Sequence, residues 1–177
     1  MTLNKEKKEQ DGFTLIETLI YLAIIGAVMT SFLYFGLSVF DYRNKSYVAE
    51  EVQANERMVI NLISQKIRSA KDVNVASSTF NINPGFLSLV MAEASKNPTI
   101  FSLSQNDGIL QITEGTGTAM AVTSKNVKVS SLIFTNLTLA STTKNIKINM
   151  TIDYNNRSQD IKFNYSDDLE TAVSLRR

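Results

Sequence analysis

The hydrophobic and polar positions divide the chain into an apolar segment, an amphipathic segment and a β-rich segment. The 23 residues from Thr18 to Phe40 contain no charged side chain and are mostly apolar. A helix of that length spans about 34 Å, enough to cross a hydrocarbon core of about 30 Å. The alternative is a buried core helix, but the chain has no second apolar segment of this length for it to pack against. The pattern therefore predicts a single membrane-spanning helix over residues 13–40.

An amphipathic helix is predicted to continue directly from the apolar segment, over residues 41–71. Apolar residues recur there at helical spacing, with charged residues between them. No proline interrupts the chain from residue 13 to residue 70, so we expect one continuous helix that ends near Ala70. The apolar positions of its second half are Val48, Val52, Val59, Leu62, Ile63 and Ile67.

Residues 72–177 contain short β-rich runs separated by turn residues, and they are predicted to form one domain. The alternation is clearest in residues 145–154, where the apolar even positions are expected to face a core and the polar positions between them to face water. Turn sequences at 106–108 and 114–117 favour antiparallel neighbours. The C-terminal segment LETAVSLRR is either an edge strand or a frayed tail. The predicted strands are residues 86–91, 99–104, 109–113, 118–123, 127–139, 145–154 and 160–166.

These elements predict an α+β fold. The apolar face of an antiparallel sheet needs a cover, and the helix over residues 48–67 is the long element that can supply it. We therefore expect a long N-terminal helix, with a membrane half and an amphipathic half, packed on an antiparallel β-sheet head.

The composition argues against most catalytic and metal-binding functions. The chain has no His and no Cys, so it lacks the usual zinc ligands, the usual general base near neutral pH and the thiol nucleophile. The net charge of +1 gives the whole chain no basic excess for binding nucleic acid. We expect a protein that is not an enzyme and that uses no cofactor and no metal. Scattered acidic residues could in principle bind calcium, but the pattern favours solvated turns; these residues are Asp107, Glu114, Asp167, Asp168 and Glu170.

The residues before the apolar segment differ from a secretory signal peptide. A signal peptide has an apolar region of about 7 to 15 residues with a small-residue cleavage site after it. Here the apolar segment is longer, and the small residue, Gly12, precedes it. Cleavage after Gly12 would leave the membrane helix attached to the mature chain. The lysines of the leader, residues 1–12, favour a cytoplasmic location for that leader.

The sequence GFTLIE, residues 12–17, followed by the apolar segment resembles the processing site of type IV pilins and of the pseudopilins of type II secretion systems. The resemblance implies a pilin-like fold and cleavage by a prepilin peptidase after Gly12. It also implies methylation of the new amino terminus at Phe13. Thr14, Leu15 and Ile16 support the motif, and Glu17 falls at the fifth position of the mature chain, where this family keeps a glutamate.

Glu17 is the one acidic residue at the start of an otherwise uncharged segment, and two interpretations are open. Thr14 and Glu17 have the spacing of a capping box, in which the glutamate serves its own helix. The family resemblance implies instead that Glu17 pairs with the free α-amino group of Phe13 on a neighbouring subunit.

The expected function is that of a structural subunit, a minor pilin or pseudopilin, of a type IV pilus or type II secretion-like filament. Its implied partners are the prepilin peptidase, other pilin or pseudopilin subunits, the inner-membrane assembly platform and membrane lipid; DNA would be an indirect partner of a competence pilus. The implied location is the cytoplasmic membrane, crossed once, with the leader in the cytoplasm and the head outside, before assembly into a filament. The rival hypothesis is a signal-anchored surface binding protein or adhesin with a β-rich ectodomain.

Overall fold

The computed structural model describes residues 12–139, 144–157 and 163–176. The predicted leader, apart from Gly12, and residues 160–162 of the last predicted strand lie outside these ranges. The chain divides into two compact units, one ending at Tyr42 and the other beginning at Arg43.

One long helix, α1, runs from Leu15 to Ser69. The predicted helix over residues 13–70 is therefore confirmed to within two residues at its start and one at its end. The helix α1 contains two glycines, Gly26 and Gly36, and no proline. Glycine lowers helix stability but keeps its backbone N–H, so the helical hydrogen bonds continue through both positions.

The second half of α1 supplies one face of the protein core. Val52, Val59, Ile63 and Ile67 are completely buried and follow one another at intervals of seven, four and four residues, which places them on one face of the helix. They belong to the same apolar cluster as residues from all the longer strands. Burying a side chain of this size stabilises a fold by about 1.5 to 3 kcal/mol. The predicted role of this helix as the cover of the β-rich head is confirmed.

The strands form two antiparallel sheets. The first has five strands in sequential order: β1 (Asp72–Val73), β2 (Leu87–Val90), β3 (Thr99–Leu103), β4 (Leu110–Glu114) and β5 (Met120–Ala121). The second has three, also in order: β6 (Val127–Asn136), β7 (Asn145–Tyr154) and β8 (Ser166–Ser174). Every neighbouring pair is antiparallel, as the turn sequences predicted.

Two strand predictions require correction. The predicted strand over residues 118–123 is reduced to the two residues of β5. The predicted strand over residues 160–166 is wrong at residues 163–165, which are not strand; of the described residues in that range, only Ser166, the first residue of β8, is in a strand. Most of LETAVSLRR lies within β8, so the edge-strand alternative for this segment is correct.

The strand β7 has the predicted alternation, but its polar face is partly covered. Ile146, Ile148, Met150 and Ile152 are buried, as expected. The polar residues between them bond to side chains of β8: the ammonium of Lys147 lies 2.7 Å from Glu170, and the hydroxyl of Thr151 donates to Asp168 at 2.7 Å. This ladder of polar pairs explains why the acidic sequence of β8 is compatible with a strand.

A buried asparagine on α1 anchors the loop that precedes β6. Asn55, 7% exposed, accepts a hydrogen bond from the backbone N–H of Ser124 at 2.8 Å. The hydroxyl of Ser124 in turn donates to the carboxylate of Glu51 at 2.8 Å. A buried amide is stable only when it is hydrogen-bonded, so these contacts fix the loop against the helix.

Two carboxyl groups meet where α1 faces the start of β8. Burial and the negative charge of Asp167, together with a hydrogen bond between the two carboxyl groups, raise the pKa of Glu56, and Arg57 opposes the shift. Because the folded protein holds this proton more tightly than the unfolded chain, the contribution of Glu56 to stability is largest in acid. That contribution is fully present below pH 4.5, the ordinary pKa of a glutamate. It is lost as the pH rises from there through the raised pKa of the folded protein.

Glu56→Gln should therefore stabilise the protein at pH 7 by at most about 1 kcal/mol, since solvent screens this partly exposed pair. The difference from the parent chain should shrink in acid, where Glu56 is already protonated. Urea unfolding of the full chain in detergent, at neutral pH and near pH 4, measures both values. Glu50→Gln, which changes an exposed carboxylate on the same helix, should have no such effect. Equal effects of the two substitutions would contradict the assignment.

Candidate processing and assembly site

The residues before α1 form an exposed, non-helical segment. Gly12, Phe13 and Thr14 have no regular secondary structure, and the side chain of Phe13 is 73% exposed. A methyl group placed on Gly12 would meet no described atom within 4 Å, and the φ angle of this glycine is not positive. Neither packing nor backbone conformation therefore requires a glycine at this position.

The side chain of Thr14 caps the first turn of α1. Its hydroxyl oxygen accepts a hydrogen bond from the backbone N–H of Glu17 at 3.3 Å. The carbonyl oxygen of Thr14 accepts the first helical hydrogen bond, from the N–H of Thr18 at 3.2 Å. An N-cap of this kind stabilises a helix by about 1 kcal/mol and explains why α1 begins at Leu15.

The carboxylate of Glu17 bonds one turn further along the helix. The hydroxyl of Tyr21 donates to Oε1 of Glu17 at 3.2 Å, and the ring of Tyr21 packs edge to face with Phe13, with centroids 6.2 Å apart. Only the threonine half of the capping box is therefore formed, because the glutamate side chain does not return to Thr14. Oε2 of Glu17 has no hydrogen-bond partner among residues 12–139, 144–157 and 163–176.

Tyr21 lies outside the GFTLIE motif of residues 12–17. Residues four apart on a helix lie on the same face, so the spacing of Glu17 and Tyr21 was the signal that could have identified it. The supporting motif residues Leu15 and Ile16 contact little, with 77% and 68% of their surfaces exposed.

The apolar residues that follow Glu17 leave a long hydrophobic surface on α1. Within the described chain, α1 is the one helix long and apolar enough to cross a membrane, and none of its most apolar part is buried in the protein. Large apolar side chains along it are mostly exposed, among them Phe32, Leu33, Tyr34 and Phe35. A surface of this size marks contact with lipid or with other protein chains.

The acidic residues weighed for calcium binding are separated or already paired. Glu114 forms an ion pair with Lys66, and Lys147, by a hydrogen bond to Glu170, lowers the pKa of that carboxyl. No group of three or more His, Cys, Asp or Glu side chains is placed to hold a metal ion within the part of the chain that the structure describes.

Comparison with known proteins bears on the N-terminal segment. Residues 7–33 match the family model of the prokaryotic N-terminal methylation motif. This match indicates a type IV pilin-like or pseudopilin-like protein. No curated protein and no solved structure matches it.

The pilin-like motif coincides with the geometry described above. It covers the exposed segment at Gly12, the cap at Thr14, the contact between Glu17 and Tyr21, and the first part of the apolar surface. In a pilin-like chain this motif indicates processing by a prepilin peptidase. An apolar N-terminal helix that carries the motif also fits a protein anchored in the inner membrane.

Proposed function

We propose that this pilin-like protein is a non-catalytic structural subunit, a minor pilin or pseudopilin, of a type IV pilus or type II secretion-like filament. The observation that carries the proposal is the position of the GFTLIE motif, which is exposed and immediately precedes the exposed apolar surface of α1. The head would select the neighbouring subunits of the filament.

In this proposal the prepilin peptidase cuts between Gly12 and Phe13 on the cytoplasmic side of the membrane and methylates the amino group of Phe13. The open surroundings of Gly12 support access of a peptidase to this bond. The mature helix keeps the chain in the membrane, with the head outside, until the inner-membrane assembly platform transfers it into the filament.

Packing between apolar helices of neighbouring subunits would then replace contacts with lipid. Gly26 and Gly36 support this step, because no described atom other than the helix backbone lies within 4 Å of a methyl group placed on either. Another helix can therefore approach α1 closely at both positions. Glu17, whose Oε2 has no partner among the described residues, is the proposed partner of the α-amino group of a neighbouring subunit. The filament would serve secretion, pilus extension or DNA uptake, and any contact with DNA would be indirect.

Mass spectrometry of the protein purified from membranes tests the proposal. The expected mass is that of residues 13–177 plus one methyl group, and the first residue on sequencing should be N-methylated Phe13. A control preparation from cells without the prepilin peptidase should keep the leader. An intact amino terminus at Met1 in peptidase-containing cells would instead favour a signal-anchored surface binding protein or adhesin.

A further inference from the structure

A polar groove lies at the end of the second sheet where β6 begins and β7 ends. It consists of two adjoining cavities of about 480 and 350 Å³ that share Lys125, Asn155 and Arg157 in their walls. Tyr154 and Phe163 line the larger cavity, and Lys128 and Asp107 line the smaller one. None of these residues belongs to the N-terminal motif.

Hydrogen bonds between three segments hold the floor of the groove in place. The backbone N–H of Asn155 donates to the carbonyl of Asn126 at 2.8 Å, and its side-chain amide donates to the carbonyl of Lys125 at 3.0 Å. The N–H of Val129 donates to the carbonyl of Gly108 at 2.8 Å and so attaches the turn that contains Asp107. A groove built on fixed backbone loses little conformational entropy when a ligand binds.

The groove carries a local positive charge although the whole chain is almost neutral. Lys125, Lys128 and Arg157 are exposed, and none of them forms an ion pair with a residue of the described ranges. Asp153 is the register partner of Lys128 on β7, yet no ion pair joins the two side chains. Three cations that have no ion-pair partner in the described part of the chain attract anionic groups of a ligand.

The other lining groups match sugar hydroxyls better than nucleotide bases. Four asparagines line the two cavities, and a carboxamide offers both donors and acceptors, as a hydroxyl group requires. Tyr154 and Phe163 form an offset stacked pair, with ring centroids 6.5 Å apart and planes at 28°. Single-stranded nucleic acid is held by aromatic side chains on which successive bases stack, and among the described residues only the larger cavity has aromatic side chains in its wall.

We infer that this groove binds an acidic polysaccharide, a chain of sugar rings that carries carboxylate or phosphate groups. The cations would pair with the acidic groups, while the asparagines and Asp107 would bond to hydroxyls. The aromatic pair would contact the apolar faces of the rings. This binding function is additional to filament assembly and does not depend on cleavage of the leader.

Binding to the full chain in nonionic detergent tests the inference. The probes are polygalacturonate for the carboxylate, poly(glycerol phosphate) for the phosphate, neutral dextran, and an oligothymidine of about 20 nucleotides. At about 50 mM salt we expect one or both acidic polymers to bind at least about tenfold more tightly than dextran and the oligothymidine, and to lose affinity as salt is added. The polymer that binds identifies the acidic group.

Lys125→Glu combined with Arg157→Glu should weaken this binding at least about tenfold, because it reverses two of the three positive charges. Lys71→Glu is the matched control. Lys71 directly precedes β1, and Asp72 of β1 forms an ion pair with Lys144 at 2.6 Å. Lys144 adjoins the start of the ten-residue strand β7, whereas the groove lies at the end of that strand, so Lys71 is separated from the groove. The substituted residues Lys71, Lys125 and Arg157 are all exposed, so both variants should fold. Thermal unfolding of each preparation checks this. If charge reversal nevertheless impairs folding, Lys125→Gln with Arg157→Gln takes its place.

Four results would overturn the inference. The first is no binding of either acidic polymer, and the second is dextran binding as tight as theirs. The third is tighter binding of the oligothymidine than of both acidic polymers. The fourth is an equal loss of affinity in Lys71→Glu and in the groove variant.

Discussion

Replacing Gly12 with leucine should abolish maturation and leave the folded protein unchanged. Gly12 is exposed, a side chain there would meet no described atom, and its φ angle is one that any residue adopts. The substitution therefore costs the fold almost nothing. A peptidase that cuts after this residue must accommodate it within its active site, where a leucine side chain adds four carbon atoms. We expect the full-length chain to accumulate in the membrane, which the mass of the purified protein will show.

Gly36→Leu provides the matched control for this experiment. Gly36 is also a glycine with open surroundings, but it lies on the apolar helix, 24 residues beyond Gly12. The Gly36 variant should be processed normally. If the Gly12 variant were cut as efficiently as the parent chain, cleavage after Gly12 would be disproved. If both variants stayed uncut, the defect would lie in membrane insertion.

Glu17→Leu should allow insertion and cleavage but reduce incorporation into filaments by at least about tenfold. Removing one partner of an interfacial charge pair costs about 2 to 5 kcal/mol, and about 1.4 kcal/mol corresponds to a factor of ten. Leucine also removes the cost of placing a carboxylate in lipid, so the membrane-bound form gains stability relative to the filament. The ratio of filament to membrane protein, measured by immunoblotting of sheared filaments, reports the effect.

Two further variants separate the charge of Glu17 from its contact with Tyr21. Glu17→Gln keeps an acceptor for the hydroxyl of Tyr21 but has no charge, and it should fail like the leucine variant. Tyr21→Phe removes the hydrogen bond of 3.2 Å and keeps the carboxylate, and it should assemble almost normally. The opposite order, with Tyr21→Phe defective and Glu17→Gln competent, would show that Glu17 acts only within its own helix.

Long elements with strong periodicity could be predicted from the sequence. The helix α1 has apolar residues at regular helical spacing and no proline, and β7 alternates without a break, so both were placed within two residues of their observed bounds. The strand β1 was missed because two residues are too few to show a period. The strand β8 was displaced because its charged residues resemble a loop. In the strand they pair with residues of β7: Thr151 lies opposite Asp168, Asn149 lies opposite Glu170, and Lys147 reaches Glu170 diagonally, which the local sequence does not reveal.

The N-terminal motif could be predicted because its residues are contiguous. Gly12, Phe13 and Glu17 are recognisable from spacing alone, whereas the contact of Glu17 with Tyr21 required the helical geometry. The polar groove could not be predicted, because tertiary folding brings its walls together from residues 106–109, 125–128 and 154–157 and from Phe163. The division of the strands into two sheets was not predicted either, since alternation places a strand in a sheet without specifying which one.

The strand β8 forms an outer edge of the three-stranded sheet, and such an edge is open to pairing with another chain. It carries the carboxylates of Asp167, Asp168 and Glu170, so two heads that met along this edge would bring like charges together. Subunits waiting at high density in a membrane would repel one another sideways through these strands. For the proposed filament subunit, this charged edge would disfavour strand pairing between heads held in the membrane before assembly.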